Sequence, residues 1–324
     1  MGLRGRHMRL VTLVLAFSVC LPTLGLGFML DDHVMRAHIA AHLRAGLPDI
    51  PRALDLFNLS GDPNAIAAHV RSGDFPWWTS HALVLRFFRP LAVVTHYVDY
   101  ALFGLHAWPM HLHNVLWYVL LVALAALAYQ RFLPPAAAAL AASLYAIDDA
   151  HVEGVGWIAS RNTLMTAVFV LATLYFHDRA RRGVRLPKAT RPFTCASPEG
   201  PLGSRALAPL ALACALLSSE GGTAAWALLV PYVLFVERAP WSERLRSLDR
   251  LLAVTLVWAA FYALAGYGAR GGDAYVDPLG APRAFVERLP LVMPALVNEL
   301  FGAPAMWLAR HPSLAPWAKA VIAR

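Results

Sequence analysis

Long apolar runs that alternate with short arginine-rich segments are the feature that most restricts how this chain can fold. Hydrophobic residues make up 58% of its 324 residues and charged residues only 15%, whereas soluble domains carry about 25% charged residues. A helix needs about 20 apolar residues to cross the hydrocarbon core of a bilayer. The pattern therefore predicts an all-α fold, a polytopic transmembrane helical bundle with about eight spans.

The predicted spans follow the apolar runs in chain order. They lie at about 10–30, 110–128, 134–147, 157–176, 207–217, 223–235, 251–267 and 291–308. The first run follows the basic segment 1–9 as in a secretory signal peptide, but its length of roughly 20 residues is sufficient to span. The apolar segment 86–104 is interrupted by Arg89, His96 and Asp99, so we expect a helix packed under the membrane surface there.

The positions of the arginines predict the orientation of these spans. The net charge of +8 is carried almost wholly by arginine, since lysine occurs only twice. The basic segments fall on one side if the spans alternate: 1–9, Arg131, 177–191 and 237–250. Loops with an excess of arginine and lysine stay in the cytoplasm. The alanine- and arginine-rich composition is typical of a GC-rich bacterial genome, so we expect a bacterial inner-membrane protein. Because the arginines lie between apolar runs, we expect them to set a cytoplasmic N terminus and expect no nucleic-acid partner.

The same alternation places four segments of a single transmembrane domain, 1–324, on the periplasmic side: 31–90, 148–161, 220–222 and 268–290. The first loop, 31–90, begins with a stretch of helical spacing, which predicts helices on the membrane surface. The second loop, 148–161, carries five ionisable residues: Asp148, Asp149, His151, Glu153 and Arg161. Ionisable side chains at the end of a span are costly when they face lipid. We therefore expect these residues to face water or a protein cavity.

Carboxylates and arginines at the same outer level favour group transfer from a phosphorylated lipid. The carboxylates are Asp31, Asp32, Asp148, Asp149, Glu153 and Glu220, and the arginines are Arg89 and Arg161. A carboxylate can take a proton from an acceptor hydroxyl. An arginine can hold the phosphate that leaves. The expected reaction is attack of the hydroxyl on the anomeric carbon of a lipid-linked sugar.

Four motifs in chain order resemble one known family. They are Arg89-Pro90-Leu91 with Asp99-Tyr100 and Leu102-Phe103-Gly104, then His151-Val152-Glu153, then Trp157-Ile158 with Arg161, then Ser219-Glu220. On these motifs, residues 10–240 resemble the membrane O-mannosyltransferase-like proteins of the TMTC type, within the GT-C glycosyltransferases. The resemblance implies a hexosyltransferase of GT-C type that uses a polyprenyl- or dolichyl-phosphate sugar, with mannose the sugar suggested and a protein or glycan as acceptor.

The resemblance also implies roles for particular residues. The acid after the first span is the base, which is Asp32 or Asp31 here. The second loop supports the acceptor or a divalent cation through Asp148, Asp149, His151 and Glu153. We expect Arg89 and Arg161 to hold the donor phosphate, and Glu220 and Trp157 are further candidates. The chain departs from the family pattern where Asp148-Asp149 replaces His-Pro, where Ser160 replaces glycine, and where Ser219 replaces a lysine.

Other interpretations of the sequence stay open. The protein is alternatively a transporter or flippase for a lipid-linked substrate, or a non-catalytic, truncated membrane relative. Asp31 and Asp32 are favoured N-cap residues for the helix that follows them. Arg161 can extend to the membrane interface, and Glu220 can pair with an arginine for structural reasons alone.

Overall fold

The computed structural model describes residues 3–44, 54–60, 63–73, 77–183, 203–271, 276 and 280–300. It is mostly helical (81%), and its strands form one three-stranded sheet. The chain forms two compact units. The first unit comprises Met1–Phe57, Phe87–Ile147 and Glu153–Gly266, and the second comprises Asn58–Arg86, Asp148–Val152 and Tyr267–Arg324.

The elements are numbered here in chain order. The helices are α1 Leu3–Cys20, α2 Asp31–Arg44, α3 Pro63–Ser72, α4 Pro90–Phe103, α5 Ala107–Phe132, α6 Pro135–Tyr145, α7 Val152–Gly156, α8 Arg161–Gly183, α9 Gly203–Ser218, α10 Ala225–Pro231, α11 Trp241–Arg246, α12 Asp249–Leu264 and α13 Pro282–Leu300. The strands are β1 Asn58–Ser60, β2 Val84–Arg86 and β3 Gly268–Arg270. Short 3-10 helices lie at Leu21–Gly25, Asp55–Phe57, Asp149–His151, Ile158–Ser160 and Glu220–Ala224.

The prediction of a polytopic GT-C bundle with about eight spans is wrong. Within the described residues, two helices are long and apolar enough to cross a membrane, Ala107–Phe132 and Ile158–Arg181. The other apolar helices are shorter, such as the 11 residues of α6. At about 1.5 Å per residue, α6 covers roughly 16 Å of a hydrocarbon core about 30 Å thick. The run predicted at 291–308 extends past Leu300, beyond the described residues.

Breaks inside the apolar runs explain the shorter helices. The first run changes from α1 to a 3-10 helix at Leu21, one residue before Pro22. The runs of α9 and α10 are separated by the turn at Ser219, whose side chain accepts a hydrogen bond from the Gly221 N–H. Proline lacks the N–H that a continuing helix needs, and serine competes for backbone hydrogen bonds. Hydropathy alone does not register the break at Pro22, whereas the turn at Ser219 falls between the predicted spans 207–217 and 223–235.

The two candidate spans, α5 and α8, run side by side in the same direction. Arg161 at the start of α8 donates to Asn114 near the start of α5 (2.6 Å). At the other ends, Arg131 of α5 pairs with Asp178 of α8 (2.6 Å). Buried Val122 and Val168 belong to the apolar cluster packed between them. The short α6 returns the chain between these parallel helices.

A second apolar cluster holds α2 against the start of the candidate spans. Met35 and Ile39 of α2 are buried in it together with Val93 of α4 and Met110 of α5. Burying such side chains stabilises the packing by roughly 1.5–3 kcal/mol each. This cluster brings the beginning of α2 close to the beginnings of α5 and α8, where the candidate site lies.

The second unit contains the small sheet, in the order β1-β2-β3 with both pairs antiparallel. Gly271 follows β3 with φ of +76°. A Cβ at this position would lie 2.0 Å from the Ala82 carbonyl oxygen, so only glycine fits. Asp148, Asp149 and His151 of the second predicted loop also belong to this unit.

Candidate functional site

Asp32, in the first turn of α2, is 1% exposed, and backbone groups bind both oxygens of its carboxylate. Oδ2 accepts from the Met29 N–H (2.9 Å) and Oδ1 from the Ala159 N–H (2.7 Å). Burial raises the pKa of this carboxyl, and the two backbone N–H groups oppose that rise. Asp32 therefore ties the start of α2 to the segment that precedes α8.

Arg161 is the first residue of α8 and is 0% exposed. Its guanidinium donates to Asn114 Oδ1 (2.6 Å) and to the Met110 carbonyl (3.2 Å). It also forms an ion pair with Asp99, with Nη2 2.5 Å from Oδ2. A buried arginine with these partners fixes the start of α8 against α4 and α5, because removing one partner would leave a buried charge uncompensated.

The Asp99 carboxylate continues this network toward the surface. Its Oδ1 lies 2.8 Å from His113 Nδ1, and the indole of Trp117 donates to His113 Nε2 (3.1 Å). Since an indole nitrogen only donates, Nε2 is the acceptor and Nδ1 carries the proton that His113 donates to Asp99. Each contact therefore has one donor and one acceptor: Trp117 donates to His113, and both His113 and Arg161 donate to Asp99.

Asn114 holds α7 and the residue that follows it in place, and it is fully buried. Its amide nitrogen lies within hydrogen-bond distance of three backbone carbonyls, those of Gly154 (3.2 Å), Val155 (3.4 Å) and Trp157 (3.1 Å). Its amide oxygen accepts from Arg161. One side chain of α5 thereby positions both the loop backbone and the first residue of α8.

His96 of α4 is fully buried, and neither ring nitrogen has a hydrogen-bond partner among the described residues. Its ring packs 6.0 Å from that of Phe57, between centroids. Burial lowers the pKa of His96 well below the usual range, and the charge of Arg161 lowers it further. The imidazole is therefore neutral.

Arg89, at the N terminus of α4, forms a second cluster with Glu220. Its Nε and Nη2 both donate to Glu220 Oε2, at 3.1 and 2.9 Å. The Tyr262 hydroxyl donates to Oε1 of the same carboxylate (3.0 Å). The guanidinium lies over the rings of Phe87 (4.4 Å) and Phe57 (5.1 Å). The two charged side chains stay accessible to solvent, at 18% for Arg89 and 27% for Glu220.

An apolar cavity of about 510 Å³ begins beside this ion pair. It lies between α9 and α12, and its lining residues are Phe88, Ala213, Leu216, Leu217, Ala253, Val254, Val257, Trp258 and Phe261. Phe88 precedes Arg89 in the chain, and Trp258 packs 4.8 Å from the Tyr262 ring. A cation and a carboxylate thus lie next to a cavity with an apolar lining. This arrangement suits an amphiphile with a charged head.

The two clusters lie toward opposite ends of α4. Arg89 precedes the helix, and Asp99 comes ten residues later, which corresponds to about 15 Å along the axis. Arg161, paired with Asp99, is buried and so is Asp32, whereas Arg89 and Glu220 are partly exposed. Of the sequence-predicted residues, the structure therefore joins Arg89 with Glu220, and separately Asp32 with the segment that leads into Arg161.

Three predicted residues lie in the second unit. Asp148 Oδ1 accepts from the Ala150 N–H (3.0 Å) and caps the 3-10 helix Asp149–His151. Asp149 is exposed and His151 half-buried. Burial lowers the pKa of His151, and Asp148 opposes that shift. Within its own unit, Asp148 therefore has a local structural role.

The remaining predicted residues lie in the first unit. Asp31 is half-buried next to Asp32, and Glu153 is exposed on α7. Trp157 is partly buried against the apolar cluster around Ile39, and its backbone carbonyl accepts from Asn114. Among the described residues, no three His, Cys, Asp or Glu side chains are grouped to hold a metal ion.

Asp99, His113, Asn114 and His96 were not predicted as site residues from the sequence. The available signal was an acid and a histidine within the apolar segment of α4, and an amide near the start of an apolar span. Such residues are expensive in an apolar environment unless they are paired. No family model matches this chain, and no curated protein or solved structure matches it either.

Proposed function

We propose that this chain is a membrane glycosyltransferase of the bacterial inner membrane. It moves a sugar, mannose by the resemblance, from a polyprenyl-phosphate donor to a hydroxyl of a protein or glycan on the periplasmic side. The orientation is supported by the arginines at the C-terminal ends of both candidate spans, Arg131 and Arg181. Excess arginine favours the cytoplasmic side, which leaves the N-terminal ends of α5 and α8 on the periplasmic side.

The Arg89–Glu220 ion pair at the edge of the apolar cavity is the observation that carries this proposal. A polyprenyl phosphate joins a long apolar chain to an anionic head, so its binding site needs an apolar groove beside a cation. Arg89 supplies the cation, and Phe88 connects it to the groove. Because Arg89 is only partly buried, a phosphate can reach it without refolding of α4.

Glu220 is the carboxylate best placed to act as the base. The donor phosphate competes with Glu220 for Arg89, which frees Oε2, while Tyr262 still holds Oε1. The freed carboxylate then takes the proton of the acceptor hydroxyl. The acceptor oxygen bonds to the anomeric carbon as the bond from that carbon to the phosphate oxygen breaks. The polyprenyl phosphate leaves with its charge stabilised by Arg89.

Asp32 has a positioning role in this scheme. The sequence predicts Asp32 as the base, but its carboxylate is buried and both of its oxygens accept backbone N–H groups. Arg161 is buried in the same way and cannot touch a donor phosphate without leaving Asp99 and Asn114. Both residues instead hold the beginnings of α2 and α8 in place.

The proposal is tested by sugar transfer from radiolabelled polyprenyl-phosphate mannose in liposomes that contain the purified full chain. Periplasmic extract supplies acceptors, and release of polyprenyl phosphate is followed in parallel. We expect Glu220→Gln to lower the transfer rate by about 100-fold or more, because an amide cannot take the proton. The matched control is Glu287→Gln, which changes an exposed carboxylate paired with Arg283 one turn earlier on α13.

Other results of these assays would indicate a different base or a different function. Full activity of Glu220→Gln together with inactivity of Asp32→Asn in a folded protein would return the base to Asp32. Movement of the labelled lipid across the bilayer without sugar transfer would identify a flippase. Binding of the donor with neither transfer nor movement would identify a non-catalytic relative.

A further inference from the structure

A separate cavity of about 290 Å³ lies at the C-terminal end of α8. Its lining includes His177 and Arg181 from α8, Glu243 and Arg246 from α11, and Arg250 and Leu251 from α12. Twenty residues of helix separate Arg161 from Arg181, or about 30 Å, which is roughly the thickness of the hydrocarbon core. The cavity is thus remote from Arg161 and the groups that bind it.

The cavity carries an excess of positive charge. Three arginines line it against one carboxylate, Glu243. Arg181 is paired with the buried Glu237. Arg246 and Arg250 are exposed, and neither has an ion-pair or hydrogen-bond partner in the part of the chain that the structure describes. Two guanidinium groups are therefore available to an anion.

A buried histidine also lines this cavity. His177 is 4% exposed, and its Nε2 has no hydrogen-bond partner among the described residues. Its ring is held edge-on against Tyr232, with centroids 5.5 Å apart. A buried polar atom without a hydrogen-bond partner destabilises the fold. A ligand oxygen in the cavity would remove that destabilisation.

The beginning of α12 adds a third feature that favours an anion. Arg250 and Leu251 lie in the first turn of this 16-residue helix. The first N–H groups of a helix have no partner within the helix, and its N terminus carries partial positive charge. Phosphate groups bind readily at such ends.

We propose that this cavity binds a phosphate group, supplied either by an anionic phospholipid headgroup or by free phosphate. Guanidinium groups match phosphate oxygens in pairs, and Arg246 and Arg250 face one cavity with His177. The Arg131–Asp178 pair marks the same end of the two candidate spans. Basic pockets between helices at the cytoplasmic side of a membrane bind phospholipid headgroups. The site is independent of the glycosyltransferase proposal.

The test is native mass spectrometry of the purified full chain in detergent, titrated with phosphatidylglycerol or with phosphatidylcholine. We expect the wild type to retain phosphatidylglycerol preferentially. Arg246→Gln/Arg250→Gln weakens that binding about tenfold or more, the effect of losing roughly one charge-assisted hydrogen bond. The matched control is Arg179→Gln/Arg238→Gln, which removes two exposed arginines that do not line the cavity. It changes binding less than about twofold.

A second variant and a second ligand complete the test. His177→Phe keeps a ring against Tyr232 but removes Nε2, and we expect it to weaken phosphatidylglycerol binding about threefold or more. Inorganic phosphate that displaces phosphatidylglycerol would identify the phosphate group alone as sufficient, and a lack of displacement would identify the lipid as the ligand. Equal losses in the two double-arginine variants, or no loss in either, would overturn the proposal.

Discussion

Asp31 and Asp32 are neighbours in sequence with different surroundings, and this difference leads to a paired prediction. An asparagine at 32 must direct its amide nitrogen at either the Met29 or the Ala159 N–H, so one buried donor loses its acceptor. We expect Asp32→Asn to lower the free energy of unfolding by about 1–3 kcal/mol. Asp31→Asn, at the half-buried neighbour, changes it by less than about 1 kcal/mol.

Thermal unfolding of the two variants in detergent, followed by tryptophan fluorescence, compares these stabilities. Equal melting temperatures for Asp31→Asn and Asp32→Asn would contradict the role of Asp32 in joining α2 to the segment before α8.

We expect His96 to make the free energy of unfolding depend on pH. Its pKa is lowered in the folded protein, so the unfolded chain takes up a proton that the buried imidazole cannot. The stability from this residue is complete above its unfolded pKa of about 6.5 and is lost progressively as the pH falls toward the lowered folded pKa. His96→Leu removes two unpartnered nitrogens, so we expect it to stabilise the fold by about 1–2 kcal/mol and to flatten this acid slope.

Unfolding temperatures measured between about pH 5 and pH 8 report the slope. The control is His81→Leu, at an exposed histidine of the second unit, which should leave the wild-type slope in place. A slope that persists in His96→Leu would show that other groups produce it.

At the scale of elements, the turn between α9 and α10 positions Glu220. A Cβ on Gly222 would lie 2.6 Å from the Ala215 carbonyl carbon and 2.7 Å from the Leu216 nitrogen, both backbone atoms of α9. A Cβ on Gly221 would meet only ordinary contacts, with Ser219 Oγ at 3.4 Å nearest. The turn can therefore pack against α9 only if residue 222 is glycine.

We expect Gly222→Ala to cost about 2 kcal/mol or more of unfolding free energy, because backbone must move to make room. It should also shift Glu220 and so lower sugar transfer. Gly221→Ala should cost less than about 1 kcal/mol. Thermal unfolding and the transfer assay on both variants check this, and equal effects of the two substitutions would count against the close packing of this turn.

The same turn shows what sequence patterns omit. Glu220 and Arg89 are 131 residues apart, and the sequence leaves open both a functional role and a structural pairing for Glu220. Their contact depends on how α4, α9 and α12 pack, which periodicity and spacing do not encode. By contrast, the helical spacing after Asp32 correctly predicts α2. The periodicity of apolar residues within one helix is a local property of the sequence.

At the scale of the whole molecule, composition predicts a largely helical chain but not how many helices cross the membrane. Hydropathy registers apolar runs, and the first run breaks beside Pro22 although its length of roughly 20 residues is sufficient to span. Two candidate spans remain, α5 and α8. Two polar contacts align these helices in parallel. Asn114 with Arg161 joins their N-terminal ends, and Arg131 with Asp178 joins their C-terminal ends.

The binding of polyprenyl phosphate, compared with the uncharged polyprenol, tests the central claim most directly. Equilibrium binding to the purified full chain should favour the phosphate by about tenfold or more, since only the phosphate can pair with Arg89 beside the apolar cavity. Arg89→Gln should abolish this preference while polyprenol still binds. Equal affinity of the wild type for both lipids, or an unchanged preference in Arg89→Gln, would contradict the claim.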